Sequence, residues 1–124
     1  MMPSRHIWMQ FIPAVVVTAG IVVVSLWESP QLPHTLSAKD KILHGCMYVV
    51  LAVTWMVPVA RNCASRIAPY MYVWLGVTLF GALMEVLQRY CTLTRTFEMA
   101  DIYANAIGSL VGVALVALWL LRKK

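Results

Sequence analysis

Four long apolar runs, at residues 7–27, 42–59, 70–88 and 102–121, account for most of this chain and leave it few ways to fold. A helix of about 20 apolar residues crosses the ~30 Å hydrocarbon core of a bilayer, and there every backbone polar group must be satisfied within the segment itself. Hydrophobic residues make up 61% of the chain and charged residues 12%, where soluble domains average roughly 45–50% and about 25%. Too little polar surface remains to cover a soluble core. The reading is an all-α, polytopic membrane protein of one domain, with four transmembrane helices in a bundle.

The first run carries Trp8 and Trp27, about 28 Å apart at helical rise, which matches two interfacial aromatic belts. Its length exceeds the h-region of a signal peptide and Ser25-Leu26-Trp27 is no small-x-small cleavage site, so the segment is expected to stay as a span. Pro13 should kink it. Two prolines and a polar composition make residues 28–41 a loop, and Ser37-Ala38-Lys39-Asp40 fits a capping box ahead of the second helix, with Pro58 expected to end that helix. Tyr70, Tyr72 and Trp74 crowd the start of the third span as a belt would.

Polarity inside or beside the spans concentrates at one end. By hairpin parity the start of the second helix, the end of the third and the start of the fourth share a membrane face, which brings Asp40, Lys41, His44, Glu85, Gln88, Asp101 and Asn105 together. Asp40, His44 and Tyr48 recur at i, i+4 and i+8; Glu85 and Gln88 at i, i+3; Asp101 and Asn105 at i, i+4, so each set forms one stripe. The Asp101 stripe continues into Gly108 and Gly112, a small-xxx-small pattern that allows close helix approach and suits a homodimer as well as internal packing. A carboxylate in a span is costly unless paired or hydrated, which marks Glu85 as a site residue with Arg89 or Arg95 as partner. Glu98 can pair with Arg95 one turn away.

Taken together, Asp-Lys-x-x-His-x-x-x-Tyr (Asp40, Lys41, His44, Tyr48), Glu-x-x-Gln (Glu85, Gln88) and Arg-x-x-Glu-x-x-Asp-x-x-x-Asn-x-x-Gly-x-x-x-Gly (Arg95, Glu98, Asp101, Asn105, Gly108, Gly112) resemble the pattern of the VanZ-like family. The resemblance runs from Asp40 to Gly112. It implies a multi-pass plasma-membrane protein of the cell envelope, in some members protective against the lipoglycopeptide teicoplanin, and it supplies no catalytic residues.

Three functions compete. The first is a non-enzymatic protein that binds an amphiphile at the polar end, whether a lipid-linked cell-wall precursor or the lipoglycopeptide, with Lys41, Arg89 and Arg95 on phosphate or carboxylate and Gln88 and Asn105 on neutral groups. An intramembrane enzyme would use Glu85 or Asp101 as base with His44. A small proton-coupled transporter is the third, disfavoured because the carboxylates lie at one end and not at the midplane. One histidine without a second His or Cys at ligand spacing argues against a metal, and no cofactor is expected. The net charge of +5 is spread over helix ends, which suits anionic lipids and not nucleic acid. Cys46, Cys63 and Cys91 imply no disulfide framework. Arg5, Arg61, Arg66, Arg122, Lys123 and Lys124 outnumber Lys39, Lys41, Arg89 and Arg95 on the other face, so both termini are expected in the cytoplasm and the polar end outside.

Overall fold

The computed structural model describes residues 5–27, 37–63, 67–93 and 97–123. These form α1 (Arg5–Met9), α2 (Ile12–Leu26), α3 (Ser37–Asn62), α4 (Ala68–Cys91) and α5 (Met99–Arg122), with no strand among the described residues. Among the described residues four segments are long and apolar enough to cross a membrane: His6–Leu26, Lys41–Asn62, Ala68–Cys91 and Met99–Arg122. They pack as a bundle, and the chain is a multi-pass membrane protein.

Proline explains how the first span departs from the expected continuous helix. Pro13 has no N–H for the carbonyl of Met9, and its ring crowds that carbonyl. α1 accordingly stops at Met9, two tight turns follow in which Gln10 N donates to Ile7 O and Phe11 N to Trp8 O, both at 3.1 Å, and α2 restarts with proline in its first turn. A missing donor costs nothing at that position.

Pro58 behaves differently from the expectation that it ends the second helix, because α3 continues through it to Asn62. Packing holds the extra turn. Val57, Val59 and Ala60 sit against a core of Ala52, Met56, Val113 and Val116, and Asn62 Nδ2 donates to the Pro58 carbonyl at 2.7 Å. Neighbouring helices and side chains re-satisfy a proline in a membrane helix in this way. The helix also begins earlier than residue 42, at Ser37. The side chains on which the capping box rests lie outside the described residues.

α3 and α5 run parallel and share the largest interface of the bundle, with α4 antiparallel beside them and α2 against α3 and α4. Small residues make this approach possible. A Cβ added to Gly108 would collide with the Gly45 backbone, standing 3.0 Å from its carbonyl carbon and from its Cα. One added to Gly112 would stand 2.6 Å from Val49 O and 2.8 Å from the Ala52 Cβ. The small-xxx-small stripe is therefore spent on internal packing, which answers the choice between homodimer and bundle for these two residues. Lipid supplies no hydrophobic drive between helices, so contact of this closeness and interhelical hydrogen bonds must hold them.

Those bonds are in place. Trp74 Nε1 donates to the Ala106 carbonyl (3.1 Å), which also accepts from Ser109 Oγ (2.9 Å), and Ser109 Oγ meets Thr78 Oγ1 at 3.2 Å, tying α4 to α5. Trp74 thus turns inward and leaves the aromatic belt to Tyr72, which is exposed. At the end that carries the chain termini, Asn62 Nδ2 reaches Gln10 Oε1 at 3.2 Å, and Arg61 and Lys123 flank the Trp119 ring at 5.7 and 4.0 Å from its centroid. Cationic side chains against an indole at a helix end form an interfacial anchor.

Candidate functional site

At the opposite end the three stripes turn inward as one group. His44, Glu85, Gln88, Asp101 and Asn105 are all buried, as is Tyr48 beneath them. The helical repeat explains it: residues at i, i+3 and i+4 project from one face, and on each of α3, α4 and α5 that face meets the other two helices. Convergence is tightest around Gly81, where an added Cβ would lie 2.9 Å from Tyr48 Cε1 and 3.0 Å from Asn105 Nδ2. The glycine lets a side chain of α3 and one of α5 meet against the backbone of α4.

The first span closes the group from the fourth side. Gln88 Nε2 donates to the Ser25 carbonyl of α2 at 2.9 Å, and both residues are buried. Thr92, one turn beyond Gln88, is buried as well and donates its hydroxyl to the Gln88 carbonyl. Thr92 extends the Glu85 and Gln88 stripe by a further four residues, on the same helical face, and was legible from it. Ser25 was not, because the acceptor is its backbone carbonyl, which any residue would carry.

Charge distribution corrects part of the expected pairing. Arg89, offered as a partner for Glu85, is exposed and forms no ion pair with it, whereas Glu85 is only 2% exposed. Glu98 is not buried either. It pairs across the mouth of the cluster with Lys41 Nζ at 3.0 Å, joining the start of α3 to the start of α5. With side chains 34% and 48% exposed, such a pair contributes under about 1 kcal/mol and is screened by salt. Arg95, and the side chain of Asp40, lie outside the described residues. Asp101 occupies the first turn of α5, where its carboxylate also complements the helix dipole, and Glu98 holds the position that precedes the helix without capping it through its side chain.

Chemically, the interior of the cluster offers carboxylates, amides, an imidazole and a phenol, all within spans. Asn105 is 1% exposed and its Oδ1 accepts no hydrogen bond among the described residues. An acceptor left that way in a membrane interior costs about 1–3 kcal/mol, which singles out Asn105 as a group that calls for an explanation. Among the described residues no group of three or more His, Cys, Asp and Glu is placed to hold a metal ion. Cys46, Cys63 and Cys91 are free thiols on the outside of the bundle.

Comparison with family models, with curated proteins and with solved structures finds no match to this chain.

Proposed function

We propose that this chain is a VanZ-like membrane protein of the cell envelope that binds the polar headgroup of an amphiphile at its buried polar end. The observation that carries the reading is Asn105, buried at the meeting point of three helices with an acceptor oxygen that has no partner among the described residues. A ligand N–H or O–H would satisfy it. Around the mouth, Lys41 and the exposed Arg89 offer cations to a phosphate or carboxylate. The excess of basic residues at the opposite end supports an orientation with both termini in the cytoplasm and the polar end outside, where cell-wall lipid precursors and lipoglycopeptides are met.

The experiment is teicoplanin susceptibility, with vancomycin alongside, of a sensitive host expressing wild type, Glu85→Gln or Asp101→Asn at matched membrane levels. Wild type is expected to protect, and each equally abundant variant to lose most of that protection. Variants that protect as well as wild type would remove the cluster from function. A chemically altered lipid or antibiotic in the wild-type membranes would replace binding with catalysis.

A further inference from the structure

The polar end is ordered along the bundle axis. α4 climbs toward the mouth and α5 descends from it, and the two meet at Gly81, where an added Cβ would lie 3.0 Å from Asn105 Nδ2 and 3.1 Å from Asn105 Cβ. Glu85 follows Gly81 by four residues on α4 and Asp101 precedes Asn105 by four on α5, so each carboxylate stands about 6 Å nearer the mouth than the amide. Exposure follows the same order, from 1% at Asn105 and 6% at Asp101 to 34% and 48% for the side chains of Lys41 and Glu98. A ligand therefore enters past the Lys41 to Glu98 pair, with Asn105 at the floor.

Interior and mouth differ in sign. Among the described residues the buried set includes two carboxylates, Glu85 and Asp101, and no lysine or arginine, whereas Lys41 and Arg89 reach solvent around it. A carboxylate has about four lone-pair sites and takes a further N–H beside the bonds it already makes. Asn105 Oδ1 adds a neutral acceptor with no partner among the described residues. Three acceptor side chains within one turn suit a group with three donors and no acceptor, which is a primary ammonium. Quaternary ammonium has no N–H and is recognised by aromatic cages, and the aromatic of this group is a single phenol, Tyr48. A phosphate brings only acceptors and negative charge, so its place is the mouth. The step between the two levels sets the spacer. Asp101 lies three residues beyond Glu98, about 4.5 Å along the helix, and a P–O–C–C–N link extends to roughly 5 Å on ordinary single-bond lengths.

We propose that the buried polar end takes the primary ammonium of a phosphoethanolamine amphiphile, seated among Asn105, Glu85 and Asp101, with the phosphate on Lys41 and Arg89 at the mouth. This rests on the reading that the polar end binds a headgroup, and it names the headgroup. The phosphate displaces Glu98 from Lys41 easily, because an exposed pair of that kind is weak.

The test is native mass spectrometry of the full chain, titrated in mild detergent with phosphatidylethanolamine, phosphatidylcholine and phosphatidylglycerol of identical acyl chains. Wild type is expected to hold phosphatidylethanolamine about 10- to 100-fold more tightly than the other two, the equivalent of one hydrogen bond to a charged group. Glu85→Gln should bring it down to the level of phosphatidylcholine. Asn105→Leu, which removes an acceptor without leaving a buried amide to satisfy, reads the same loss if Glu85→Gln does not fold. Lys41→Gln should instead weaken all three lipids about two- to fivefold and keep their order, because they share the phosphate. Soluble phosphoethanolamine should leave the lipid bound, and its displacement of the lipid at equal concentration overturns an amphiphile as the source. Equal retention of the three lipids by wild type overturns the ammonium and leaves headgroup binding standing, whereas retention of none overturns both. A preference unchanged in folded Glu85→Gln and Asn105→Leu overturns the proposal too, by putting the amine elsewhere on the chain.

Discussion

Gly108→Leu is expected to remove the folded bundle, whereas Gly20→Leu, the same chemical change on α2, leaves it intact. The Gly45 carbonyl carbon and Cα would both stand 3.0 Å from the first added carbon at Gly108, and a Cβ at Gly20 would meet nothing within 4 Å. The atoms in the way at Gly108 are backbone, so relief requires α3 and α5 to separate and not a rotamer change. Overpacking of a core costs about 1–3 kcal/mol where side chains can give way. Here the largest interface of the molecule must open, and the loss approaches the whole 5–15 kcal/mol that holds a typical fold. Gly108→Ala should already cost more than that 1–3 kcal/mol, because its single added carbon is the one that meets the Gly45 backbone. Unfolding by sodium dodecyl sulfate titration in mixed micelles, followed by circular dichroism and by Trp fluorescence, reads all three variants. Equal midpoints for Gly108→Leu and Gly20→Leu would sink the account of how α3 meets α5.

Asn105→Leu should separate stability from binding. Leucine shares the branching and heavy-atom count of asparagine, and replacing a buried amide whose oxygen has no partner among the described residues removes a desolvation penalty of about 1–3 kcal/mol. The bundle is therefore expected to become as stable as wild type or more so, by up to about that amount. Binding of the headgroup should weaken by roughly 10- to 100-fold, the equivalent of one hydrogen bond to a polar or charged group. Thermal midpoint in micelles gives the first number, and protection of the host at matched expression reports the second. A scaffolding Asn105 would give the reverse pattern, an unstable protein that still protects wherever it folds.

Much of this was legible before any coordinates. Apolar length marked the spans, and the 3.6-residue repeat carried His44, Tyr48, Glu85, Gln88, Asp101 and Asn105 inward together, because a polar side chain in a span has almost nowhere else to go. What the pattern could not reveal has physical causes. Pro58 was read by its local effect, and tertiary packing around Val57, Val59 and Ala60 overrode that effect. Gly108 pairs with Gly45 on another helix, and the register between two helices is not written in either one alone. The Lys41 to Glu98 bridge joins residues far apart in the chain, and no local spacing points to it. The Ser25 contribution runs through a carbonyl and leaves no mark in the sequence at all.

The order in which the helices are made differs from the order in which they are bound. The first span precedes the others in the chain and is the most apolar of the four, yet it buries the smallest share of its surface against them. A segment of that kind rests in lipid as a solitary helix with nothing left unsatisfied. The third span, which carries Glu85 and Gln88, is the least apolar and is poorly suited to solitude. Synthesis thus inserts first the helix that can wait, and last the α5 segment against which α3 and α4 close; the waiting helix then completes the wall of the polar end through the Gln88 to Ser25 bond. Glu85 therefore sits in a span that precedes α5, and its enclosure among polar side chains is complete only once α5 has joined α3 and α4.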